Sequence, residues 1–180
     1  MACQGDRKLI HLVTGTRGEG KTRTCINLAN KFGEIGLYCG GVICPGVYDG
    51  GEKTGSRIID VKTREASRFS SRKNGGDYGI EVGEWLIHHD GIEFGIQALK
   101  NALHCHIIFV DEVGPLELSG RGFSRALHDV FNHRQVIVVL RDGLRGEFAS
   151  KFHYLKFREY DLSNGVQEIV AITERVLNEF

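Results

Sequence analysis

The sequence predicts an α/β fold of three layers, with a mostly parallel central sheet and an inserted antiparallel hairpin. Three observations point there. Short, largely apolar runs at 8–13, 107–110 and 136–140 suit strands buried on both faces. Segments with apolar residues at helical spacing separate them, the alternation that builds a parallel sheet. A glycine-rich stretch from Leu37 to about Phe69, with repeated β-branched and aromatic residues, breaks that rhythm.

The elements follow in order. Leu9, Ile10, Leu12 and Val13 make the first strand, begun at Lys8. A glycine-rich turn leads to a helix over 21–33, where Cys25, Leu28, Ala29 and Phe32 share a face and Gly33 is the expected stop. Tyr48-Asp49-Gly50-Gly51 is a turn signal between strands at 42–47 and 57–61. The polar segment 62–77 is expected to be a mobile loop with a short strand. Asp90 with Glu93 has the form of a capping box for a helix lined by Ile92, Ile96, Leu99 and Leu103. Phe123, Ala126, Leu127, Val130 and Phe131 mark the next helix. Asn164 is the expected cap of a last one, carrying Val166, Ile169, Val170, Val176 and Leu177.

At 180 residues the chain fits one domain, read here as spanning 1–180. Its 23 basic and 23 acidic residues cancel and form no Lys/Arg block, so no nucleic-acid partner is expected. No apolar run approaches the ~20 residues of a membrane span, and residues 1–8 lack the apolar core of a signal peptide. A cytoplasmic, membrane-free protein is the expectation. Five cysteines (Cys3, Cys25, Cys39, Cys44, Cys105) form no CxxC pair and read as small apolar side chains or bystanders.

The strongest chemical signal is Gly15-Thr16-Arg17-Gly18-Glu19-Gly20-Lys21-Thr22, a full GxxxxGK[ST] between a buried strand and an amphipathic helix. Glycines let successive backbone amides turn inward around a phosphate, and the helix N-terminus adds its dipole. Lys21 would meet the β- and γ-phosphates and the Thr22 hydroxyl a Mg²⁺ ion, with Arg23 beside them. The run Ile107-Ile108-Phe109-Val110 ends in Asp111 and Glu112. Asp111 would emerge at the carboxyl end of a central strand and hold the metal; Glu112 is a candidate general base for an attacking water. Arg17, Arg57 and Arg141 are candidates for stabilising charge on the transferring phosphoryl group, Arg57 and Arg141 foremost. His88, His89, His104 and His106 lack a partner motif for a metal. Trp85 and Phe94 are expected in packing rather than base stacking.

With these residues in hand, the sequence resembles the small P-loop nucleoside-triphosphatases of thermophiles, whose human relative is the cancer-related NTPase. Three segments carry the likeness: the 15–22 loop; Gly40-Gly41-Val42 with Gly55-Ser56-Arg57-Ile58-Ile59-Asp60; and Asp111-Glu112-Val113-Gly114-Pro115-Leu116-Glu117-Leu118. The resemblance implies a RecA-like core and slow Mg²⁺-dependent hydrolysis of ATP, GTP and other NTPs. It implicates Lys21, Thr22, Asp111 and Glu112 by position, and raises the interest of Arg57. Departures are Cys44-Pro45, Ile59 in place of a glycine, and Arg17 and Glu19 in the loop. Two other classes share the loop. A small-molecule or nucleotide kinase would use the basic stretch 141–158 (Arg145, Lys151, Lys156) as a lid. A nucleotide-dependent switch would move 62–77 against a protein partner.

Overall fold

A computed structural model describes residues 9–73, 78–133, 135–141 and 143–180. The predicted strand start at Lys8, Cys3, and residues 74–77 of the polar segment lie outside the described residues. In chain order the elements are β1 (Leu9–Thr14), α1 (Lys21–Glu34), β2 (Cys39–Ile43), β3 (Gly46–Asp49), β4 (Glu52–Asp60), β5 (Ala66–Arg72), β6 (Ile80–Val82) and β7 (Trp85–Ile87). Then come α2 (His89–Asn101), β8 (Ile107–Val113), α3 (Pro115–Leu118), α4 (Ser124–Val130), β9 (Gln135–Leu140), α5 (Arg145–Lys151), β10 (Phe157–Asp161) and α6 (Val166–Leu177).

One sheet runs β10-β1-β9-β8-β2-β4-β5-β7-β6, with β3 paired on β4. The first five are parallel to one another, and from the β2–β4 pair onward the pairing is antiparallel. Alternation along the central strands sends Ile108, Val110, Val136 and Val138 to a core with α2 and α4, while Phe109, Ile137 and Val139 join Cys25, Phe32 and Ile172 of α1 and α6. Burial on both faces explains why these strands are continuous apolar runs. The sheet thus lies between two helical layers, as the alternation implied, and the antiparallel hairpin extends it.

Glycine is required where β2 enters this sheet. Gly41 has φ +97, and a Cβ there would lie 2.1 Å from the Phe109 carbonyl oxygen. The turn at Gly50 and Gly51, with φ 54 and 86, closes the β3–β4 hairpin as the sequence suggested. The first arm differs from expectation. Residues 42–47 are not one strand, because Cys44 and Pro45 separate β2 from β3; the second arm already begins at Glu52.

Other expectations are corrected. Residues 66–72 of the polar segment are strand β5, held between β4 and β7, with Ser70 and Ser71 buried. Helix α2 starts at His89 behind His88 with no side-chain cap, so Asp90 and Glu93 form no capping box; Asp90 lies in the first turn. Asn164 sits in a 3₁₀ turn over 162–164, and Gly165 precedes α6 without a side-chain cap. Helix α1 continues past Gly33 to Glu34, before Gly36 at φ 86. The basic stretch 141–158 contains α5 and most of the chain leading into β10, a strand at the sheet edge beside β1. Among the described residues no helix is long and apolar enough to cross a membrane.

Candidate nucleotide site

β1 ends at Thr14, and the chain then turns through Gly15, Gly18 and Gly20, at φ 134, 94 and 81. α1 begins at once with no side-chain cap, so its first-turn amides face the loop. The Lys21 ammonium donates to the carbonyls of Gly15 at 2.6 Å and Thr16 at 2.8 Å. Lys21 therefore lies folded over the loop. Glu19 does something the sequence did not suggest: its carboxylate accepts the Thr16 amide at 2.5 Å, an anion seated on the anion-binding backbone. Arg17 and Arg23 are exposed.

The acid side is built by β8. Asp111 is 1% exposed. Its Oδ2 accepts the Cys44 amide at 3.1 Å, and its carboxylate is hydrogen-bonded to the Thr22 side chain. Burial pushes its pKa up to about 6, with Glu112 adding to the rise and the Cys44 amide, Thr22 and Lys21 opposing it. Loop, helix start and strand end thus converge on Thr22 and Asp111.

The pairing of β8 with β9 shifts between Asp111 and Val113, and this bulge takes Glu112 out of the ladder. Arg141 follows β9, the strand between β1 and β8. That topology places Arg141 between the loop strand and the acid strand, and its Nε donates to Glu112 Oε1 at 3.0 Å. Arg57 is placed elsewhere. It is exposed on β4 and lines a separate hollow with Arg68 and Arg72, whereas Glu112 and Arg141 line a cavity together with Cys44.

Sequence reasoning gave Glu117 no role of its own. It is 3% exposed and accepts the Gly114 amide at 3.0 Å, which ties down the turn after Glu112. Burial raises its pKa despite backbone hydrogen bonds that lower it. Pro115 at the start of α3 with Glu117 two residues on was the available signal. Trp85 lines the cavity beside Glu112, and Phe94 packs on the core. His88 Nε2 pairs with Ser71 Oγ at 3.0 Å, and His106 Nδ1 accepts the Tyr38 amide at 2.9 Å.

A glycine loop heading a helix, facing an acid at the end of a strand, in a sheet of this topology, defines the P-loop nucleotide-binding class. The NTPase family model matches residues 10–173, and the chain belongs to that family. It is 34% identical over 142 residues to the nucleoside-triphosphatase THEP1 of Methanocaldococcus jannaschii, covering 77% of this chain and 82% of that one. Against the THEP1 of Methanosarcina acetivorans it is 29% identical over 171 residues, 93% and 94% of the two chains. The solution structure of a human cancer-related nucleoside triphosphatase superposes with a TM-score of 0.70 over 96% of both chains at 17% identity, a likeness of fold.

Proposed function

We propose that the chain binds a nucleoside triphosphate at residues 15–22 and hydrolyses its terminal phosphate, releasing NDP and phosphate. The observation that carries this reading is the meeting of Thr22 with buried Asp111, directly beside the Glu112–Arg141 pair. Membership of the NTPase family supports it. ATP and GTP both serve, because loop amides, Lys21 and Thr22 address phosphate rather than base.

The residues fit Mg²⁺. A hydroxyl and a carboxylate share one spot, and burying that carboxylate is costly until a cation joins it. Thr22 and Asp111 would hold the ion, which supplies charge neutralisation on the β- and γ-phosphates. Glu112, turned out of the ladder, accepts the proton of the attacking water. Arg141 holds Glu112 in place and brings a cation to the same spot; its position favours it over Arg57 for the developing charge.

The test is phosphate release from ATP and GTP with Mg²⁺ by wild type and Glu112→Gln. The variant is expected to bind nucleotide and to turn over about 10² to 10⁴ times more slowly. Wild-type turnover by Glu112→Gln would remove Glu112 as the base, and a wild type that binds but never releases phosphate would remove hydrolysis.

A further inference from the structure

Glu117 is a buried acid outside the reacting groups. It belongs to α3, a helix of 4 residues, too short to hold itself by its own hydrogen bonds. The side chains on either side of it in sequence, Leu116 and Leu118, are apolar and buried, as packing alone would want. A carboxylate between them is costly to bury unless donors meet it. Three do: the backbone amides of Gly114, Phe123 and Glu117 itself. The Gly114 bond is 3.0 Å long, and Gly122 leaves the room, since a Cβ there, at φ +55, would lie 2.2 Å from Glu117 Oε1.

The turn it holds is the joint between the two strands that carry the site. Past the bulge at Glu112, Val113 pairs with Leu140, and the Arg141 amide donates to the Val113 carbonyl at 3.1 Å. Gly114 comes next. A Cβ on it would stand 3.6 Å from Glu117 Oε2 and 3.9 Å from Arg141 Cζ, so carboxylate and guanidinium flank one residue. Arg141 Nε in turn donates to Glu112 Oε1 at 3.0 Å. The Glu112 and Arg141 side chains are 35% and 44% exposed, too open for packing to fix their aim. Glu112, Gly114, Glu117 and Arg141 line one cavity whose free space, about 70 Å³, has room for a few waters.

We propose that Glu117 is the positioning residue of the Glu112–Arg141 pair: by fixing Gly114 it sets the direction in which both groups meet the attacking water and the terminal phosphate. The inference rests on the hydrolase reading given above. Glu117 itself exchanges no proton and touches no substrate. A misplacement of roughly 1 Å is enough to slow a reaction about a hundredfold, so the turn matters to rate without mattering to nucleotide binding. A glutamine at 117 keeps the shape. It offers one acceptor oxygen where the carboxylate offers two, and turns its NH₂ toward an amide that also donates.

The experiment measures phosphate release from ATP with Mg²⁺, and Mg²⁺–ADP affinity by calorimetry, for the full-length protein and its variants. Glu117→Gln is expected to lower kcat at least about tenfold while affinity stays within about twofold, because only the aim of the pair has changed. Added to Glu112→Gln, the same substitution is expected to cost less than about threefold more, because the base it positions is already gone. Ser119→Ala removes a 2.8 Å bond to the Leu116 carbonyl without touching Gly114, and is expected to keep wild-type kcat. Where Glu117→Gln does not fold, Glu117→Asp, charged but one methylene short of Gly114, takes its place with the same expected split. Wild-type kcat in the folded variant overturns the proposal. So does affinity lost in proportion to kcat, a fully additive loss on top of Glu112→Gln, or an equal fall in Ser119→Ala, each of which makes Glu117 a support of the fold alone. Failure of the hydrolase reading shows in the wild type by itself, as nucleotide bound and no phosphate released.

Discussion

Asp111 is the residue whose removal should strengthen the fold while destroying the site. It is buried at the end of β8, and burial lifts its pKa from the ordinary 3.8 to about 6. The folded state therefore holds this proton more tightly than the unfolded chain. The stability it lends is full below pH 3.8 and is lost as pH rises through about 6. At ~1.4 kcal/mol per pH unit, the ionised carboxylate costs the fold about 3 kcal/mol at pH 8 and about half that at pH 5. An asparagine has no charge to desolvate. Its carbonyl can accept the Cys44 amide and its NH₂ can donate to Thr22. Asp111→Asn should therefore gain up to about 3 kcal/mol at pH 8 in chelator and without nucleotide, raising Tm by roughly 6–10 °C. It should lose Mg²⁺-dependent nucleotide binding. Thermal unfolding at pH 8 and pH 5 measures the gain. A less stable variant at pH 8, or an equal gain at both pH values, would refute the desolvation argument.

Three further outcomes follow from particular contacts. Glu19→Gln removes the carboxylate that competes with phosphate for the Thr16 amide, and should tighten Mg²⁺–ATP binding about fivefold, a modest factor because the group is exposed; calorimetric affinity equal to or weaker than wild type would count against it. Arg141→Ala should lower kcat by at least about 10² while Arg57→Ala has a smaller effect, and the reverse order in steady-state assays would restore Arg57 to the reaction. Gly41→Ala would place a methyl 2.1 Å from the Phe109 oxygen at φ +97 and should cost more than about 3 kcal/mol in urea unfolding, a midpoint near wild type disproving the close approach.

The parts of the molecule legible in the sequence are those where one physical demand dominates. β1, β8 and β9 are buried on both faces, so they are written mostly in apolar residues, and the 15–22 loop is written in glycines that the backbone needs. β5 was expected only as a short strand in a mobile loop because its sequence, Ala-Ser-Arg-Phe-Ser-Ser-Arg, is mostly polar, with hydroxyls that are satisfied inside: Ser70 meets Ser56, and Ser71 meets His88. β10 is an edge strand with charged residues, and its Glu159 is taken up by Thr14 and Arg145, partners far away in sequence. Asp90 and Asn164 had the right chemistry for caps, but the chain entered each helix by another route. The site showed the same split. Lys21, Thr22, Asp111 and Glu112 sit in local motifs, whereas the choice between Arg57 and Arg141 depended on β9 lying between β1 and β8, which no local pattern carries.

The sheet order also constrains how this protein is made. β1 has as neighbours β9, which begins at Gln135, and β10, which ends at Asp161. A nascent chain emerging from the ribosome exposes the strand that frames the glycine loop first and receives its two partners last. Through most of synthesis that strand is an apolar segment with open edges, dependent on delay or on chaperones to escape aggregation. Nucleotide capture by a growing polypeptide should therefore begin only once β9 and β10 have both been made.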